Sequence, residues 1–237
     1  MTRRRMLHLA GRRDPFAGAG PGSSPDFSRC WRITRQPRRI NCSLAALASA
    51  AAPDCMAWTI TVLAATEIVR NRLVEVFKEF GIRSVIDVPC GDFNWMKKVD
   101  LDGISYHGLD IVKELVDSNS AKYGRDDIRF SCVDMITDDI PKADLVICRD
   151  CLFHYTSRLI IKALANLKRS GSEYLLTTSF PGIDRNQEIE TIGLYRPINL
   201  QLPPFALPTP LLVIHEGGSG SQSLCLWRLR DIPVGGA

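Results

Sequence analysis

The sequence predicts a doubly wound α/β domain on a mostly parallel seven-stranded sheet, closed by an antiparallel C-terminal hairpin. Two observations carry this prediction. From residue 66 to about 180, short apolar runs of strand length alternate with amphipathic stretches of helix length, the pattern of parallel βαβ units with helices on both faces. After residue 180 the alternation stops. A Pro-rich connection leads to LLVIHE and SLCLWRL, which flank the Gly/Ser turn GGSGSQ and read as a terminal hairpin.

The elements follow in order. Ile68, Val69, Leu73, Val76, Phe77 and Phe80 share one face of a helix that Thr66 begins and Gly81 ends. SVIDV is a short buried strand, FNWMKKV a helical piece and ISYHGLDI a second strand. VKELVDSNSAKY is a helix closed by Gly124, and IRFSCVDM and ADLVICRD are the third and fourth strands. A helix over SRLIIKALANLKRS starts at about Thr156 and ends at Gly171, before the fifth strand EYLLTTSF.

The N-terminal segment is of a different kind. Residues 1–42 hold ten arginines, no lysine and only Asp14 and Asp26 as acids, about +8, which leaves −4 of the total +4 for the rest. An acidic body argues against a nucleic-acid surface. Residues 1–58 read as a disordered Arg-rich leader, a transit peptide being one form of it, or as a mis-called start with translation beginning near Met56. The apolar run over 44–65 is broken by Pro53 and Asp54, so neither half reaches the roughly 18 residues of a membrane span. The functional domain is expected at 66–232. Eight cysteines in a chain that is neither short nor loop-rich read as reduced, cytoplasmic thiols, and the lone C-x-x-C at 148–151 does not make a metal site.

Three acids end the first three strands: Asp87, Asp110 and Asp134. In an open α/β sheet, ligands bind beyond those carboxyl ends. A carboxylate after strand two can accept both ribose hydroxyls, and one after strand three an adenine amine. Each acid read alone is equally a turn cap; the three together in a βαβαβ frame indicate a nucleoside-containing ligand. The turn DVPCGD selects the kind. A dinucleotide site needs G-x-G-x-x-G to bring a helix N-terminus to a pyrophosphate, yet here only Gly91 is glycine, with Pro89 and Cys90 in glycine-like places. Asp87 and Asp92 would repel a pyrophosphate and attract a sulfonium and an ammonium, the charges of S-adenosylmethionine (SAM).

The order and spacing over roughly 66–230, with CGDFNWM, the DI pair at 110–111 and CRDCLFHY, resemble class I SAM-dependent methyltransferases of a Rossmann-like fold, in a bacterial-type subfamily. That resemblance implies that the turn Asp87, Pro89, Cys90, Gly91 and Asp92 holds the methionine part of SAM. Asp110 and Ile111 would hold ribose and adenine, and Asp134 with Met135 would face the adenine. CRDCLFHY would lie where acceptors meet the sulfonium. There His154 and Asp150 are candidate bases or orienters, each equally readable as a helix-start or cap residue. Arg149 would contact the cofactor, guide an acidic acceptor or pair with an acid. Tyr155 and, in the 181–210 loop, Tyr195, Arg196 and Asn199 are candidate acceptor contacts under a Pro-stiffened lid. The implied activity is methyl transfer to oxygen or nitrogen of a small-molecule or glycan acceptor. The alternatives are a catalytically silent SAM-binding partner subunit and a nicotinamide-dependent oxidoreductase. Thiol reagents are expected to weaken SAM binding through Cys90.

Overall fold

A computed structural model describes residues 66–216 and 222–233. The leader, the 44–65 run and the glycines of GGSGSQ lie outside the described residues. Seven strands form one sheet: β1 Ser84–Asp87, β2 Ser105–Asp110, β3 Ile128–Cys132, β4 Leu145–Cys148, β5 Tyr174–Ser179, β6 Leu212–His215 and β7 Ser223–Arg228. Their order is β3-β2-β1-β4-β5-β7-β6. The first five run parallel, whereas β7 is antiparallel to both β5 and β6. β6 therefore points the same way as β5, and its carboxyl end lies on the edge where β1 and β4 end. The order reverses between β1 and β4, the switch point where such sheets bind ligands.

Strand residues alternate between two cores with the period of the pleat. Val85, Leu145, Ile147, Leu176, Leu224 and Leu226 face one core, together with helix α1 Glu67–Glu79 and helix α2 Lys113–Tyr123. Ile86, Val146, Cys148, Leu175, Cys225 and Trp227 face the other, with helix α3 Ser157–Arg169 and residues 198–207. Helices thus cover both faces, as expected.

Local departures have local causes. On α1 the buried stripe is Val69, Leu73, Val76 and Phe77; Ile68 lies off it and is 49% exposed. Thr66 precedes that helix but makes no side-chain cap bond. FNWMKKV forms only a 3₁₀ turn at Met96–Lys98. Phe93 takes φ +59° just before it, and the Asn94 N–H donates to the Asp92 side chain at 3.0 Å, a turn that starts no α-helix. β3 stops at Cys132, so Asp134 stands two residues beyond the strand rather than at its end. Gly81 and Gly171 adopt the positive φ that ends a helix, whereas Gly124 closes α2 at φ −60°. Its glycine identity is steric: a Cβ there would clash with the Ser120 carbonyl oxygen.

Candidate active site at the carboxyl edge of the sheet

β1 forks as it ends. The Val88 N–H donates to Ile147 of β4 and the Cys90 N–H to Leu109 of β2, each at 2.9 Å. The strands part there, and residues 88–91 sit at the opening. Gly91, at φ +56°, gives its N–H to Asp110 Oδ2 at 3.1 Å, while Asp110 Oδ1 accepts from the Val112 N–H at 2.9 Å. The carboxylate that ends β2 therefore ties the first turn to the start of α2. Gly108, one register position from this turn, has no room for a side chain: a Cβ would lie 2.7 Å from Phe130 and 3.0 Å from the Cys90 Cβ.

Asp87 is buried and accepts a 2.7 Å bond from the Tyr106 hydroxyl. Burial raises its pKa from 3.8 to about 7, opposed by Tyr106 and Arg149 and assisted by Asp110. The sign of the resulting pH dependence is fixed. Between about pH 4 and 7 the folded chain keeps a proton that the unfolded chain has lost, so stability falls as pH rises through that window and levels off above it. Asp87→Asn should remove this slope and stabilise the ligand-free protein at pH 8 by a few kcal/mol. Urea unfolding at pH 5 and pH 8 checks it; equal slopes in both proteins would contradict it.

Across the switch point, Arg149 is fully engaged. Its Nε lies 2.7 Å from Glu216 Oε1, its Nη1 lies 2.7 Å from Asp150 Oδ2, and its guanidinium stacks 5.4 Å from the Trp95 ring centre. Burial opposes its charge, but Asp150, Glu216 and Asp87 keep its pKa above the usual arginine value. Gln222 bridges the two acids, its Nε2 donating to Asp150 Oδ1 at 2.8 Å and to Glu216 Oε2 at 2.6 Å. Burial raises the Glu216 pKa; Arg149 opposes the rise and Asp150 adds to it. Asp150 sits at φ +53°, unusual for a residue with a side chain, and its N–H is held by Thr178 Oγ1 at 2.9 Å. One arginine thus faces Asp87, Asp150 and Glu216, leaving the edge with a surplus of negative charge.

His154 lies beyond, with both ring nitrogens buried and neither in hydrogen-bonding geometry with a partner. Burial lowers its pKa, and the Leu194 and Gly193 backbone partly opposes this; the imidazole is neutral near pH 7. Phe153, Phe180 and Tyr195 pack edge to face beside it, with Tyr195 53% exposed. Burial and then Asp150 raise the Tyr195 pKa.

The structure brings Asp87, Cys90, Gly91, Asp110, Arg149 and Asp150 onto one edge. Ile111 is half-buried at the start of the next connection. Asp134 caps its own turn through the Ile136 N–H at 2.8 Å, and Met135 is buried in the core against Cys148. Asp92 is exposed, Pro89 is half-buried and Tyr155 is buried. Arg196 gives its guanidinium to the carbonyls of Gln187, Phe153 and Tyr155, and Asn199 Nδ2 faces the Pro181 and Ile183 carbonyls while its Oδ1 accepts from the Gln201 N–H. The polar groups of these two residues are thus spent on main-chain groups of the loop and of the connection between β4 and α3. Sequence reasoning missed Tyr106, Asn119, Glu216 and Gln222. A signal for Glu216 was present, since it follows LLVIH as Asp87 and Asp110 end their strands.

The expected sensitivity of Cys90 to thiol reagents is at odds with its burial. Burial together with the Asp87 and Asp110 charges pushes its thiol well above the ordinary range, so reagents will not reach it first. Of the described cysteines, Cys132 is the exposed one, its Sγ 3.5 Å from the Ile111 carbonyl oxygen. Peptide mapping after brief alkylation should find Cys132 modified before Cys90, Cys148, Cys151 and Cys225.

No protein-family model matches the chain, and no curated protein sequence does. Solved structures match. Human N-acetylserotonin methyltransferase, in complex with SAM, aligns with TM-score 0.53 and 14% identity over 72% of this chain and 54% of its own. The 1,6-didemethyltoxoflavin-N1-methyltransferase of Burkholderia thailandensis, bound to 1,6-didemethyltoxoflavin and S-adenosylhomocysteine, aligns with TM-score 0.53 and 17% identity over 75% of this chain and 90% of its own. The SAM-dependent methyltransferase SibL aligns with TM-score 0.52 and 17% identity over 80% and 62%. The chain thus spans about half the length of the human enzyme. Its fold is that of the class I SAM-dependent methyltransferases. Among the described residues, no helix is long and apolar enough to cross a membrane, and no group of three His, Cys, Asp or Glu stands together to hold a metal ion.

Proposed function

We propose that the protein binds SAM at this edge and transfers its methyl group to oxygen or nitrogen of a small-molecule or glycan acceptor. The observation that carries the reading is the charge of the edge on this fold: Asp110, Asp150 and Glu216, beside an Asp87 that is half-protonated near pH 7, outnumber Arg149, which pairs with Asp150 and Glu216. Such a surface favours a cation and disfavours a pyrophosphate. The residues fit the cofactor: Asp110 and Ile111 would face its ribose and adenine, and residues 87–92 its methionine part. Asp134 and Met135 would border the adenine with a turn and a core side chain. When bound, SAM supplies an electrophilic methyl group on a sulfonium.

The chain's own contribution is alignment and proton removal. His154, whose imidazole burial keeps neutral, is the base for an acceptor hydroxyl or ammonium. Asp150, locked by Thr178 and Gln222, orients the acceptor beside Tyr195. Because Arg149 already carries two carboxylates, it does not guide an acidic acceptor. A neutral or cationic acceptor suits the edge, in keeping with the neighbouring toxoflavin-type and N-acetylserotonin enzymes.

Calorimetry with SAM and with NAD tests the cofactor assignment. Binding of SAM without NAD supports it; binding of neither, or of NAD alone, overturns it. Cofactor turnover over a panel of amines, phenols and sugars then separates an enzyme from a silent SAM-binding subunit.

A further inference from the structure

Asn119 is one of two fully buried positions on α2, the other being Val116 one turn away. An apolar side chain would fill such a stripe at lower cost, because a buried amide must be paired. Here the amide has a specific partner: Asn119 Nδ2 donates to the Gly91 carbonyl at 2.7 Å. The N–H of the same glycine is taken by Asp110 at 3.1 Å. Both backbone groups of the turn's one glycine are therefore held by side chains, one from the end of β2 and one from α2.

The geometry has a directional consequence. The Gly91 carbonyl and the Asp92 N–H belong to one trans peptide plane and point in opposite senses. Holding the carbonyl toward α2 aims the Asp92 N–H away from it. Among the described residues no acceptor takes that N–H. We infer that Asn119 is a positioning residue for the first turn, fixing residues 91–92 so that the Asp92 N–H is presented to the carboxylate of the cofactor's amino-acid half. The inference rests on the reading of this edge as a SAM site.

The test compares two probes on the full chain: S-adenosylhomocysteine, which carries the amino-acid half, and 5′-methylthioadenosine, which lacks it. Binding is measured by calorimetry for the parent protein, Asn119→Leu and Asn119→Asp. The aspartate variant keeps the shape and removes the donor, so it serves if the leucine variant fails to fold. The expected result is a loss of about tenfold or more for S-adenosylhomocysteine, about 1.4 kcal/mol, with methylthioadenosine unchanged. A variant that weakens both ligands alike, or neither, overturns the positioning role. A parent protein that binds neither ligand overturns the SAM reading itself, which is a different outcome from the variants' failure.

Discussion

Asp110→Ala should weaken SAM binding by about 100-fold or more while leaving a folded protein. The estimate combines two losses. A carboxylate accepting from ribose hydroxyls contributes about 1.5–3 kcal/mol. The same carboxylate holds the Gly91 and Val112 N–H groups at 3.1 and 2.9 Å, so its removal also loosens the turn and the start of α2. Asp110→Asn separates the two, since its single amide oxygen can keep one of these backbone bonds. Calorimetry on all three proteins, with circular dichroism as the folding control, reads the effect. A folded alanine variant with unchanged affinity would remove Asp110 from the site.

Arg149→Met should lower stability by about 3–5 kcal/mol at pH 8, the usual consequence of leaving buried charges without their partner. Three carboxyl groups depend on that guanidinium: Asp150 and Glu216 at 2.7 Å, and Asp87 through the field that opposes the rise of its pKa. Without Arg149 the buried Asp87 and Glu216 hold their protons to still higher pH. The penalty therefore grows as pH rises and shrinks toward pH 5, where Asp87 is already protonated. Methionine fills the stem volume against Trp95, so the measured loss is electrostatic rather than steric. Urea unfolding at the two pH values decides it, and a loss of similar size at both would argue for packing alone.

The sheet was legible in the sequence because each strand is a short apolar run bounded by turn residues and each helix carries a separate period. Asp87 and Asp110 were legible because they are the last residues of their strands, where the fold leaves side chains at the ligand edge. What lay outside reach depends on pairings distant in the chain. Glu216 meets Arg149 across 67 positions, and only the placement of β7 between β5 and β6 brings β6 to run parallel to β5. Asn119 follows the helical period of an apolar position, and nothing local tells that its amide has a carbonyl to serve. Arg196 and Asn199 show the opposite failure. Polar residues in a long Pro-rich loop suggest acceptor contacts, but a loop without ladder bonds must satisfy its backbone with side chains, and these two do that work.

The same loop is anchored to the helix that follows His154. Glu188 Oε1 accepts from the Ser157 N–H at 3.0 Å, serving as the N-terminal cap that α3 does not find in Thr156, and Arg196 grips the carbonyls of Phe153 and Tyr155. Swinging this segment aside would unpair the first turn of a core helix and strip a buried guanidinium of its acceptors. The segment around Glu188 and Arg196 is therefore tied to the start of α3 and to the connection before it. The exposed Leu194 and Tyr195 side chains are the parts of this segment free to move, with rotamer changes that take nanoseconds or less while the backbone stays tied down.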